Sequence, residues 1–110
     1  MAATPLDLFR LDNMVSARLD HVRPRDIAMF DRGGDKWVKV GTGGVSTWDA
    51  VDRSLTGRWW RLPAGTDCDD TRLSLVNDHA NHRLWEPAFD MELAMYGHAL
   101  ARVSAKFLRV

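Results

Sequence analysis

The stretch GTGGVSTWD occupies residues 41–49, near the middle of a chain of 110 residues. Its paired glycines, Gly43 and Gly44, indicate a break in a strand or a close approach of another backbone. Two hydroxyl side chains and a tryptophan follow them. The stretch therefore predicts either a strand entered through a glycine corner or a corner followed by a short helix that Thr47 or Asp49 caps.

Three familiar glycine motifs do not fit this stretch. A phosphate-binding Walker loop requires a lysine where Val45 stands, and the dinucleotide fingerprint G-x-G-x-x-G requires a glycine where Ser46 stands. A nucleophile elbow, G-x-S-x-G, requires a glycine in place of Trp48. Two interpretations remain for the stretch, a glycine corner with a capping hydroxyl and a strand that lines a substrate pocket.

The segments on both sides of this stretch indicate a single α+β domain, residues 1–110. Patterns of apolar residues predict strands and one hairpin with a Gly33-Gly34 turn. The predicted strands cover residues 6–11, 26–30, 36–40, 57–63, 71–77 and 82–87. Short helical turns are predicted over 13–22 and 48–55, and a long C-terminal helix from Asp90 to Phe107, where apolar residues recur every three or four positions. We expect a strand-rich core of mixed or antiparallel sheet closed by that helix.

Composition narrows the classes of function. The formal net charge is zero, so no overall positive field would draw the protein to nucleic acid. Cys68 is the only cysteine, which excludes an intramolecular disulfide and a zinc site with several cysteines. Neither a classical signal peptide nor a run of ~20 apolar residues is visible. We expect a protein of the producing cell's cytoplasm, exported without a cleaved leader and without a membrane partner.

A few polar residues are candidates for chemistry or metal binding. His79 and His82 follow Asp78 at a spacing that suggests a metal, but no third strong ligand lies at a familiar distance, and we expect no metal. Acidic neighbours disfavour Cys68 as a nucleophile. Arg10 lies within an apolar strand, LFRL, where a cation needs a partner or a ligand. A salt bridge to an aspartate and a bound phosphate both remain open for it.

Seven segments, in this order, make the chain similar to the small toxins exported by type VI secretion systems. They are LFR (8–10), PRDIAMFDRGG (24–34), GTGGVSTWD (41–49), LPAGTD (62–67), LSLVND (73–78), HRLWEPA (82–88) and MYGHAL (95–100). The resemblance runs over most of the chain. Members of that family resemble ADP-ribosyltransferases in fold, so the resemblance implies a small ADP-ribosyltransferase-like domain with NAD as its substrate.

The resemblance also implies roles for individual residues. Arg10 matches the arginine that binds the diphosphate of NAD, and Ser46 matches the serine of the nicotinamide-ribose pocket. Val45 stands where the family has a hydroxyl, so Thr47 is assigned beside Ser46. Glu86 is assigned as the catalytic carboxylate that stabilises the ribosyl cation. The cofactor-binding set is Arg10, Gly43, Gly44, Ser46 and Trp48, in which the glycines admit the ligand and the indole stacks on nicotinamide.

The function implied is that of a toxin acting in the cytoplasm of a rival bacterium. It would use NAD to ADP-ribosylate an unknown macromolecule, or hydrolyse NAD, and a cognate immunity protein would neutralise it in the producing cell. An alternative hypothesis is a non-catalytic toxin or binding domain on the same fold. A small ribonuclease using His79 and His82 is a third hypothesis, which the zero net charge disfavours.

Overall fold

The computed structural model describes residues 2–12, 16–68 and 71–110. In that part of the chain it contains short strands and one helix. The elements are β1 (Ala2–Ala3), β2 (Leu8–Leu11), β3 (Met29–Arg32), β4 (Asp35–Val38), β5 (Val45–Trp48), β6 (Trp59–Leu62), β7 (Asp67–Cys68), β8 (Leu73–His79), β9 (His82–Pro87), β10 (Met91–Glu92), α1 (Leu93–Ser104) and β11 (Leu108–Arg109).

A six-stranded sheet in the order β11-β6-β2-β5-β9-β8 forms the centre of the molecule. Strands β10, β4 and β3 form a second sheet, and β1 pairs with β7. All of these pairings are antiparallel. The expected α+β class, with strand-rich antiparallel sheets and a C-terminal helix, is confirmed.

Alternation along the strands gives the central sheet two different faces. In β5, Val45 and Thr47 are buried whereas Ser46 and Trp48 are half-buried. Residues directly opposite each other in an antiparallel pair share a face, and successive residues do not. The register then defines a core face, with Leu8, Arg10, Val45, Thr47 and Trp85. It also defines an outer face, with Phe9, Ser46, Trp48, His82, Leu84 and Glu86.

Helix α1 packs into the hydrophobic core together with the apolar residues of the core face. Its residues Tyr96, Leu100 and Val103 are almost fully buried, as their apolar spacing predicts. The Tyr96 hydroxyl donates to the Trp85 carbonyl at 2.5 Å, which fixes the helix against β9. Desolvation by burial is the main reason that the pKa of Tyr96 is raised. This helix thus supports the strand that carries His82 and Glu86.

Three local predictions were wrong. Residues 48–55 form no helix, because Trp48 pairs with both Phe9 and His82 as the last residue of β5. Residues 16–22 contain no helix, only a turn in which the His21 amide donates to the Arg18 carbonyl at 3.0 Å, and 13–15 lie outside the described residues. The C-terminal helix starts at Leu93 rather than Asp90, whose carboxylate accepts a hydrogen bond from the Val40 amide at 2.8 Å. Tertiary pairing overrides local propensity at these places.

The described residues include no helix with the length and apolar character that crossing a membrane requires.

Candidate active site

Arg10 is enclosed on the core face, with 7% of its surface exposed. Its Nε donates to the Ala17 carbonyl at 2.9 Å and its Nη1 to the Ser46 carbonyl at 2.7 Å, while Nη2 makes a longer contact of 3.5 Å with the Arg18 carbonyl. Burial lowers the pKa of the guanidinium, and the charge of Asp12 partly offsets this. Arg10 therefore ties residues 17–18 to β5, on the side of the sheet opposite the Ser46 hydroxyl.

Gly43 and Gly44 admit the protein's own backbone. A Cβ built on Gly44 would lie 2.3 Å from the Trp85 carbonyl oxygen, and one on Gly43, at φ +144°, would lie 2.2 Å from the Asp26 carbonyl oxygen. Both separations are far inside normal van der Waals contact, so no larger residue fits without movement of a main chain. The close approach that the sequence predicts is thus present, and it seats β5 against β9 and residue 26. The proposed role of these glycines in NAD binding stays a prediction.

The Thr47 side chain is not brought to the same side as the Ser46 side chain. Thr47 is fully buried on the core face, and its Oγ1 donates to the Arg83 carbonyl at 3.0 Å. Because Ser46 and Thr47 are consecutive in one strand, their hydroxyls project from opposite faces. Thr47 therefore stabilises the β5–β9 pairing, and Ser46 supplies the hydroxyl of the outer face.

The outer face brings Ser46 and Trp48 of β5 together with His82 of β9. Trp48 pairs directly with His82 and Ser46 pairs with Leu84, so His82 is the diagonal neighbour of Ser46, within reach of a long side chain. The ring centroids of Trp48 and His82 lie 5.5 Å apart, and Trp59 contacts Trp48 edge-on at 6.3 Å. Trp48 therefore packs against the imidazole and limits its movement.

Two hydrogen bonds join Ser46, His82 and Asp78 in a row. His82 Nε2 lies 2.9 Å from Ser46 Oγ, and His82 Nδ1 lies 2.6 Å from Asp78 Oδ1. An ionised carboxylate only accepts hydrogen bonds, so Nδ1 carries the proton, and in the neutral imidazole Nε2 accepts from the serine hydroxyl. The His82 side chain is 14% exposed. This row can remove a proton from the Ser46 hydroxyl.

A β-bulge places Asp78 in this row. The register passes from Asn77 opposite Arg83 to His79 opposite His82, so Asp78 has no cross-strand partner in the ladder. Bulges of this kind redirect a side chain. Desolvation alone would raise the pKa of Asp78, but hydrogen bonds and the charges of His82 and His79 outweigh it and hold the pKa below its ordinary value. Asp78 is therefore the ionised end of the row.

Glu86 lies on the outer face, further along β9 from His82. Desolvation and then the negative charge of Asp78 raise the pKa of its carboxyl above the ordinary 4.5. Its direct partner across β8 is Ser74. Glu86, Ser46 and Trp48 are thus the residues of the sequence-based set that share a face, whereas Arg10 and Thr47 lie on the other face.

The raised pKa of Glu86 predicts a pH-dependent effect of Glu86→Gln on stability. The folded state holds the Glu86 proton more tightly than the unfolded state does. As pH rises through 4.5, the unfolded carboxyl ionises first, so the wild type loses stability that the uncharged variant keeps. We expect the melting temperature of Glu86→Gln, relative to the wild type, to be higher at neutral pH than at acidic pH.

Thermal unfolding of both proteins between about pH 4 and pH 7 measures this difference. The matched control is Glu92→Gln, because Glu92 is the only other glutamate and its exposed side chain makes no capping hydrogen bond to α1. The prediction would be contradicted if the melting temperature of Glu86→Gln, relative to the wild type, stays constant over this range or decreases with rising pH.

From the sequence, Asp78, His79 and His82 were considered together only as a metal site. No pattern in the sequence connected Asp78 and His82 with Ser46. One ligand atom of each of Asp78, His79 and His82 lies within 4.8 Å of the others, so the donor set suits a divalent metal. Both oxygens of Asp78 already contact the two histidines, at 2.6 and 3.2 Å, and the His79 side chain is 70% exposed. That this protein needs no metal stays a prediction.

Two cavities among the described residues lie away from the outer face. One of about 220 Å³ lies beside α1 and is lined by Arg72, Met95, His98, Ala99 and Arg102. The other, of about 310 Å³, is lined by Asp35, Lys36, Glu92, Leu93 and Ala94. Neither is lined by a residue of the sequence-based site.

No protein-family model, curated protein or solved structure matches this chain. The resemblance to the exported toxins therefore depends on the seven sequence segments. Any chemistry assigned to the site depends on the geometry of the outer face.

Proposed function

We propose that this chain is an NAD-consuming toxin with a small ADP-ribosyltransferase-like domain, which transfers ADP-ribose to a macromolecule or hydrolyses NAD. The observation that carries the proposal is that Ser46, Trp48 and Glu86 lie on the same face, the outer face, of the central sheet. These residues lie on two strands that are distant in sequence, and the register of β5 with β9 brings them to one side. His82 joins them there and holds the serine hydroxyl.

The residue types on this face suit cleavage of the bond between nicotinamide and ribose. Breaking that bond builds positive charge on the sugar, as in glycoside hydrolysis. The Glu86 carboxylate would stabilise this charge more in the transition state than in the ground state. Ser46 and His82 would hydrogen-bond the ribose hydroxyls, and Trp48 would pack on the nicotinamide ring.

Arg10 has a structural role in this proposal. Its Nε and Nη1 already donate to the carbonyls of Ala17 and Ser46, and its side chain lies on the core face. These donors are therefore not available to a diphosphate on the outer face. The carbonyl that Nη1 binds is that of Ser46, which means that Arg10 holds the main chain of the serine from behind. In this proposal the diphosphate of NAD binds to groups other than Arg10.

The biological setting of the proposal follows from the sequence resemblance to the toxins that type VI secretion systems export. The toxin would act in the cytoplasm of a recipient bacterium on an unidentified macromolecule. A cognate immunity protein would bind it in the producing cell and prevent self-intoxication. Both partners are part of the proposal.

Release of nicotinamide from NAD by the purified protein is the first measurement to make. We expect Glu86→Gln to lower the rate by about 10²-fold or more, because it removes the charge that stabilises the ribosyl cation. Ser46→Ala should also lower the rate, and Glu92→Gln should not. All three variants should melt cooperatively, which separates loss of chemistry from loss of fold. A wild type that releases no nicotinamide, or a Glu86→Gln variant as active as the wild type, would contradict the proposal.

The enclosure of Arg10 favours a second candidate, a non-catalytic toxin or binding domain on the same fold. Expression in a bacterium distinguishes the two. Growth arrest that survives both Ser46→Ala and Glu86→Gln, with no effect of NAD on the melting temperature, would support the binding domain. Growth restored by either substitution would support the NAD-consuming toxin.

A further inference from the structure

We propose that Ser46, His82 and Asp78 form a nucleophilic triad that makes the Ser46 hydroxyl reactive towards acyl and phosphoryl electrophiles, with carboxylic esters as the substrate class. This activity would be additional to NAD cleavage and does not depend on it. The proposal starts from the order of atoms, in which a hydroxyl, an imidazole and a carboxylate are joined through the two different nitrogens of one ring.

The geometry meets the requirements for activating a serine. A base must lie within hydrogen-bond reach of the proton that it removes, about 2.6 to 3.2 Å between heavy atoms. His82 Nε2 is 2.9 Å from Ser46 Oγ. A third group must fix the tautomer and stabilise the imidazolium that forms, and Asp78 Oδ1 does so at 2.6 Å from Nδ1. Such a set is recognised by geometry and not by the order of residues in the chain.

Strands hold all three side chains, and the bulge at Asp78 is the irregular part of this arrangement. Ser46 and His82 lie on paired strands, β5 and β9, with a continuous register from Val45 to Trp48. The Trp48 ring packs against the imidazole at 5.5 Å. Asp78 is presented by the bulge in β8, which leaves it outside the ladder. Sites built on strands keep their side chains in place better than sites on loops.

The reaction on Ser46 is balanced without a cofactor. The Ser46 hydroxyl proton passes to His82 Nε2 as Oγ forms a bond to the carbonyl carbon of an ester. The bond from that carbon to the alkoxy oxygen then breaks, and the leaving alcohol takes the proton back from His82. Water repeats the sequence to release the acid. Glu86 takes no part in these steps, which separates this reaction from NAD cleavage.

A fluorophosphonate probe tests the serine directly, because a phosphorus–oxygen bond forms on Oγ as fluoride leaves. We expect Ser46 of the full-length folded protein to be labelled, identified by mass spectrometry of its peptide. Ser46→Ala should lose this label and Ser74→Ala should keep it. His82→Gln should slow labelling by about 10²-fold or more, the usual contribution of a general base. Asp78→Asn should slow it by at least about 10-fold, since the tautomer is no longer fixed.

His98→Gln is the matched control, because His98 lies on α1 and lines the cavity of about 220 Å³ that is away from the outer face. It should be labelled like the wild type. Each variant is compared with the wild type at an equal concentration of folded protein, determined from its melting curve. Loss of labelling through unfolding is then not mistaken for loss of reactivity.

Three results would overturn the proposal. They are absence of label on Ser46 in the folded wild type, labelling that is unchanged in His82→Gln, and labelling that requires an added divalent metal. The last result would assign Asp78 and His82 to a metal. The fate of the NAD proposal is measured separately by nicotinamide release, so either proposal can fail alone.

Discussion

Arg10→Ala is expected to lower the free energy of unfolding by about 3 to 5 kcal/mol. The substitution leaves the carbonyls of Ala17 and Ser46 without their donor, and each unsatisfied buried group costs about 1 to 3 kcal/mol. It also leaves a cavity where a side chain with 7% exposure had been. Chemical denaturation followed by tryptophan fluorescence measures the change.

The control for this substitution is Arg61→Ala, a change of the same type in the same sheet. The Arg61 side chain is 44% exposed and its closest contact with Asp7 is 3.6 Å, so its removal should cost at most about 1 kcal/mol. Equal stability of Arg10→Ala and the wild type would show that Arg10 does not hold the fold. Because Arg10 has a structural role in the NAD proposal, any loss of activity in Arg10→Ala should follow from its loss of stability.

Gly44→Ala is expected to destabilise the protein by about 3 kcal/mol and to disturb the Ser46–His82 hydrogen bond. The added Cβ would lie 2.3 Å from the oxygen and 2.7 Å from the carbon of the Trp85 carbonyl. The obstacle is main chain in a paired strand, so β5 must move away from β9, and overpacking of this kind costs about 1 to 3 kcal/mol or more. Denaturation curves measure stability, and labelling of Ser46 reports the geometry of the site.

Gly97→Ala provides the contrast. Gly97 lies within α1, and among the described residues no atom outside its chain neighbours and the backbone of its own helix lies within 4 Å of the added Cβ. Alanine is the better helix former by about 1 kcal/mol, so this variant should be slightly more stable than the wild type. A Gly44→Ala variant that behaves like Gly97→Ala would show that β5 and β9 can separate at no cost.

The parts of the fold that the sequence predicted are those with local signals. The hairpin through Gly33 and Gly34, the strand over 82–87 and the apolar stripe of α1 each depend on neighbouring residues. The start of the helix was misplaced because the Asp90 carboxylate binds the amide of Val40, fifty positions earlier. No pattern near Asp90 contains that contact.

The site was predictable to the same limited extent. Ser46 and Trp48 share a face because they are two positions apart in a strand, and this follows from the sequence. The separation of Arg10 from them depends on the pairing of Phe9 with Trp48, which only the structure shows. The link between Asp78 and His82 depends on a bulge, and the same residues read in sequence suggested a metal.

The two faces of the central sheet have separate roles. On one side, Arg10, Thr47 and Trp85 are buried and fix the chain in its shape. On the other side, Ser46 and Glu86 are only half-buried. Evolution can therefore exchange the chemistry of such a protein more freely than its framework. Substitutions behind the sheet are expected to cost stability, whereas those in front are expected to change the chemistry of the outer face.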